Sequence, residues 1–233
     1  MFSGITKYTK GIMNLTALSK RGEEQSYRDQ DLYKILNIYL KSKGIYSKII
    51  FEEKSNLENQ LDIMVCPNVV GVEFEMIDSP IIQRFFKPNK GKQTYDLFSY
   101  KIKNKISTDK ELREAFFQTA SNSCWANYSY LIIFECDKKL YYEMERLNDL
   151  YGVGIILLDE NPIESSIIFQ ASHHRYDVKM IDRLRSMNID FYGFMEQIIL
   201  ALNENGYFDP NKKNLDEYCD DFLKLRIGTK DQD

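Results

Sequence analysis

Two short runs, Tyr130-Leu-Ile-Ile-Phe134 and Val153-Gly-Ile-Ile-Leu-Leu158, constrain this chain more than any other feature. Both are almost wholly apolar, which suits central strands covered by helices on both faces rather than strands with one wet side. The segment between them, Lys138 to Tyr151, reads as a helix. A layered α/β arrangement is therefore the starting point.

The rest of the chain fills in around these strands. From Tyr27, the residues Leu32, Ile35, Leu36, Ile38, Tyr39 and Leu40 follow helical spacing, and Gly44 ends the run as a C-terminal glycine does. Ile45 to Phe51, Leu61 to Val65 and Val69 to Met76 are strand material. Tyr95 to Ile106 alternates, with Phe98, Tyr100 and Ile102 on one face and Ser99, Lys101, Lys103 and Lys105 on the other. Thr108-Asp109 opens a second long helix over Leu112 to Cys124. A short strand at Ile167 to Gln170 and helices near Val178 to Ser186 and Ile189 to Asn203 follow. The spacing predicts one α/β domain on a mixed sheet over residues 27–233, with a helical region from about 177. Residues 1–26 carry too little periodicity to be placed.

With 233 residues, 43% of them hydrophobic, the chain has enough material for one substantial core. No run approaches the roughly 18 to 20 apolar residues of a membrane helix, and no signal-peptide block follows Lys7 and Lys10, so a cytoplasmic location without membrane contact is expected. Cys66, Cys124, Cys136 and Cys219 lack zinc spacing and read mostly as small buried residues. His173 and His174, even with Asp177 nearby, read as a surface loop.

The formal net charge is -4, which argues against coating nucleic acid nonspecifically. The charge is uneven, however. Residues 81–110 hold Arg84, Lys87, Lys90, Lys92, Lys101, Lys103, Lys105 and Lys110 against only Asp96 and Asp109. Such an excess suits phosphate contact, and it equally suits a solvated lysine-rich loop around Arg84 to Lys92.

Five segments carry a resemblance: Asp31-Leu-Tyr33, Cys66-Pro-Asn-Val-Val-Gly-Val72, Leu97-Phe-Ser-Tyr-Lys-Ile-Lys103, Phe117-Gln-Thr-Ala-Ser-Asn-Ser-Cys-Trp-Ala126 and Glu145-Arg-Leu-Asn-Asp-Leu-Tyr-Gly-Val-Gly-Ile155. Together they resemble the HrgA-like family of bacterial restriction-associated proteins, whose core is that of the PD-(D/E)xK, or restriction-endonuclease-like, nucleases. The resemblance implies a mixed sheet flanked by helices, DNA as a partner, a homodimer or partner subunit, and Mg²⁺ if the chain cleaves. Such a site needs carboxylates for a hard divalent ion and a lysine two residues along the same strand, because positions i and i+2 share a face.

Carried over residue by residue, the aspartate of the Pro-Asp pair falls on Asn68, and the Glu-x-Lys falls on Lys101-Ile-Lys103. Two carboxylates are missing, and a lysine in place of one repels metal. Asp62 with Glu73 and Glu75 forms an alternative carboxylate set, although Glu73 and Glu75 equally suit the polar face of a half-buried strand. Asp31 matches an acidic helix position and is a candidate distal ligand. Gln118 matches a helix glutamine beside the site and equally suits helix packing, while Trp125 reads as core. The candidate positions are therefore Asn68, Lys101, Lys103, Glu73, Glu75 and Gln118 for chemistry, and Asp31, Asp62, Glu73 and Glu75 for metal. For nucleic acid they are Arg84, Lys87, Lys101, Lys103 and Lys105. Two functions fit: a metal-dependent nuclease of a restriction or antiphage system, and a catalytically degenerate relative that binds DNA or a partner protein. Gly152 and Gly154 lack the third glycine of a dinucleotide loop.

Overall fold

The computed structural model describes residues 29–55, 66–77, 79–85, 94–211 and 214–219. Predictions for Leu61 to Val65, Asp62 and Lys87 lie outside these residues, as does the extension 1–26.

A six-stranded mixed sheet runs β1 (Tyr46–Ile49), β2 (Val69–Phe74), β3 (Tyr95–Ile106), β4 (Tyr128–Cys136), β5 (Gly154–Leu157) and β6 (Ser166–Phe169) in spatial as well as chain order. The pairs β1/β2, β2/β3 and β5/β6 are antiparallel, whereas β3/β4 and β4/β5 are parallel. Each parallel step needs a crossover. Helix α3 (Asp109–Ala120) supplies the first and α4 (Tyr141–Tyr151) the second.

Helix α1 (Asp29–Ser42) covers one face, packing Leu32, Leu36, Tyr39 and Leu40 against Val69, Phe98, Tyr100, Tyr130 and Ile132. The other face is covered in two parts. Near β1 and β2, helix α6 (Ile189–Ala201) brings Phe191, Phe194 and Ile198 onto Val70, Val72, Leu97 and Trp125. Near β4 and β5, helices α3 and α4 bring Leu112, Phe116, Met144 and Leu147 onto Leu131, Ile133 and Ile155. Burial on both sides explains why the centre of β4, Tyr130 to Phe134, and all of β5 are apolar. The shorter helices α2 (Pro80–Phe85), α5 (Val178–Met187) and α7 (Asn214–Cys219) complete the described chain.

Local signals act where they were read. Thr108 and Glu111 form a reciprocal capping box at α3, and Gly44 adopts φ 78° just past α1. The predicted second helix instead stops at Ala120, and Ser121–Cys124 tightens into a 3₁₀ turn. Asn122 drives this: its Nδ2 donates to the Gln118 carbonyl and its Oδ1 accepts from Trp125 Nε1 at 3.1 Å. Cys66 and Cys219 are buried as expected, but Cys124 is exposed and Cys136 half-buried.

Candidate functional site

Asn68 immediately precedes β2 and is fastened to β3 on both sides of Lys101. Its backbone N–H donates to the Tyr100 carbonyl at 3.1 Å, and its side-chain Oδ1 accepts from the Ile102 N–H at 2.9 Å. The sequence-derived pair Asn68 and Lys101 is thus adjacent in space across 33 residues of chain. Asn68 uses its amide oxygen to hold backbone, and an amide offers no negative charge for a cation.

Lys101 is only 8% exposed. A buried ammonium needs a partner, and Nζ finds it in Glu52 at 3.5 Å. Glu52 begins a 3₁₀ turn, Glu52–Lys54, that follows β1. The turn is bolted down from far along the chain. Asn188 Nδ2 donates to the Phe51 carbonyl at 3.0 Å and to Ser55 Oγ at 2.6 Å. Asp190 accepts from the Phe51 N–H at 3.3 Å and pairs with Lys54 Nζ at 2.9 Å. Two lysines and two carboxylates therefore alternate around the turn. Cys66 lies against Ser55, and burial pushes its thiol pKa up, which keeps it protonated and unreactive.

Lys103 shares the strand face of Lys101, and α3, which carries Gln118, packs on the same side of the sheet. Gln118 is half-buried, and its backbone carbonyl accepts from Ser121 Oγ at 2.7 Å. Lys105 is exposed and pairs with Glu135 at 3.3 Å. Arg84 sits on α2, also exposed.

The alternative carboxylates lie elsewhere. Glu73 stands opposite Asp96 on the face that carries Phe98 and Tyr100, not on the face of Lys101. Asp96 and Lys101 stand five positions apart along β3, about 16 Å at the rise of a strand. Burial and the neighbouring Asp96 raise the pKa of Glu73. Glu75 lies past the end of β2, its N–H donating to the Thr94 carbonyl at 2.7 Å. Asp31 belongs to α1, again on the Phe98 face. The sheet therefore separates Glu73 from Lys101.

Among the described residues, no group of three His, Cys, Asp or Glu side chains stands close enough to hold a metal ion. Around Lys101 the nearby carboxylates Glu52 and Asp190 are each engaged by a lysine, a donor set that does not suit Mg²⁺. No known family model matches the chain, and no curated protein and no solved structure matches it.

Glu52, Lys54 and Asp190 were missed by sequence reasoning. Glu52-Glu-Lys54 at the end of a strand was a readable signal. Nothing in the sequence joins Asp190 to it, because that contact spans 136 residues.

Proposed function

We propose that this chain is a catalytically degenerate, restriction-endonuclease-like module that binds DNA phosphate through Lys101 and Lys103 without metal. The observation that carries this reading is Asn68 gripping β3 on both sides of Lys101. Where a cleaving site needs two carboxylates, this position supplies an amide and an ammonium. Apart from the short helix α2 between β2 and β3, the order helix, three antiparallel strands, helix, parallel strand supports the architectural part. The restriction-associated setting rests on the five resembling segments.

Phosphate binding here is an exchange of anions. Glu52 is 43% exposed at its side chain and holds Lys101 at a long distance, so it can turn to solvent while a phosphate oxygen takes its place. The ammonium, shielded from water, then interacts more strongly than a surface lysine does. Lys103, two residues on, meets the next oxygen on the same face. Lys101 and Lys103 position the backbone and read no sequence.

The test is binding of a labelled duplex across a salt series, with Mg²⁺ and with chelator. Binding that weakens with salt, ignores chelator and leaves the duplex intact is expected. Metal-dependent cleavage would sink the proposal.

A further inference from the structure

On the opposite face of the sheet lies a cavity of about 250 Å³ that the DNA reading does not use. Its floor is made by register. Phe98 pairs with Tyr128 and Tyr100 with Tyr130 across the parallel strands β3 and β4. The rings stand nearly parallel, with centroids 5.1 Å apart for Phe98 and Tyr128, 6.0 Å for Tyr100 and Tyr130, and 6.1 Å for Phe98 and Tyr100. Gly71 makes room for this array, since a Cβ there would stand 3.1 Å from Tyr100 and 3.3 Å from Phe98. The cavity thus has an aromatic floor, with Tyr39 and Gln170 among its walls.

Two carboxylates share its lining. Glu73 and Asp96 sit directly opposite each other on antiparallel strands, where like charges are unfavourable. The cations around them answer this weakly. His173 approaches Asp96 only to 3.7 Å, with its side chain half exposed. Lys43, also in the lining, lies 5.4 Å from the centre of the Tyr39 ring, and among the described residues no ion pair joins it to either carboxylate. A bare metal ion would gain little from aromatic lining, whereas an organic cation would use both halves: its charge beside the carboxylates and its apolar body against Tyr128, the one ring of the four that is only half-buried.

We infer that this cavity binds a small organic cation, an alkylammonium or guanidinium group carried on an apolar body about the size of one aromatic ring. The volume is below that of a drug-sized pocket, which limits the ligand to that size.

The experiment is calorimetric titration of the full chain with 2-phenylethylamine and with agmatine, using 2-phenylethanol as the uncharged control. Saturable binding of at least one amine is expected, with the alcohol weaker by about tenfold or more, and with about tenfold loss in the E73Q/D96N double variant. Failure of both amines to saturate, equal binding of the alcohol, or wild-type affinity in the folded double variant would overturn the inference. Amine-induced shifts in the wild-type NMR spectrum provide a readout independent of any variant. Shifts centred on Tyr128 and Gln170 support the site, and shifts confined elsewhere refute it.

Discussion

Asn68 Oδ1 accepts a hydrogen bond from the Ile102 N–H at 2.9 Å, a link between the start of β2 and the middle of β3 that no backbone carbonyl supplies. Removing the acceptor leaves that N–H without its partner, at a cost of about 1–3 kcal/mol. Asn68→Ala should therefore lower the melting temperature by roughly 2–12 °C. Asn68→Asp keeps the acceptor and should melt closer to the wild type, while weakening DNA binding because it sets a negative charge beside Lys101. Thermal unfolding and duplex titration of both variants check this, and an unchanged melting temperature in Asn68→Ala would show that the link contributes nothing.

If Lys101 binds phosphate as proposed, Glu52, which pairs with it at 3.5 Å, is the competing anion. Glu52→Gln removes the competitor while keeping the shape, so DNA affinity should rise, by about threefold to tenfold. The logarithmic salt dependence should steepen by up to about 0.9, the share of one phosphate contact. Weaker binding in this variant would mean that Glu52 positions Lys101 rather than masking it.

The sheet was legible because its signals are local. Apolar runs marked the centre of β4 and β5, the alternation of Phe98, Tyr100 and Ile102 with Ser99, Lys101 and Lys103 marked the middle of β3, and the Thr108 cap placed the start of α3. The pairing of Asn68 with Lys101 followed from matching two short segments to one pattern. The surroundings of Lys101 were not legible, since Glu52 and Asp190 arrive there through tertiary contacts alone. Reading Glu73 and Glu75 as part of one site also overlooked strand parity. Glu73 pairs with Asp96, and an even-numbered position of β3 faces away from Lys101.

Acid should act on the two faces with opposite sign. Glu143 lies between Arg113 at 2.8 Å and Arg146 at 2.7 Å, and hydrogen bonds from both hold its pKa down at about 2, against 4.5 for an ordinary glutamate. A depressed folded pKa means stability that is present above about 4.5 and lost as pH falls toward about 2. Glu73 and Asp96 are both raised, by burial first and, for Glu73, by the neighbouring Asp96. A raised carboxylate destabilises the fold at neutral pH and ceases to do so once protonated. Glu143→Gln should thus melt lower than the wild type at pH 7, and Glu73→Gln should melt higher. Both differences should shrink as pH falls through the carboxylate range. They should also be modest and sensitive to salt, because the groups are partly solvated. Melting temperature against pH for the two variants is the check, and slopes of the same sign would refute the assignment.

Trp125, the one tryptophan, is 1% exposed and meets Phe191 edge-on with ring centroids 5.3 Å apart. Trp125→Ala should cost about 3–5 kcal/mol through the cavity it leaves. Trp125→Phe should cost less, keeping the ring contact but abandoning Asn122 Oδ1. Urea unfolding followed by circular dichroism measures both, and a loss under about 1 kcal/mol in the alanine variant would contradict the packing described.

The most direct test compares duplex binding by the wild type and by a Lys101→Ala, Lys103→Ala double variant, over a salt series with Mg²⁺ and with chelator. The expected result is intact DNA, affinity indifferent to chelator, and in the folded double variant weaker binding with a salt slope shallower by roughly 2, one unit per lost phosphate contact. Unchanged affinity in the double variant, or cleavage that stops when Mg²⁺ is removed, would contradict the account.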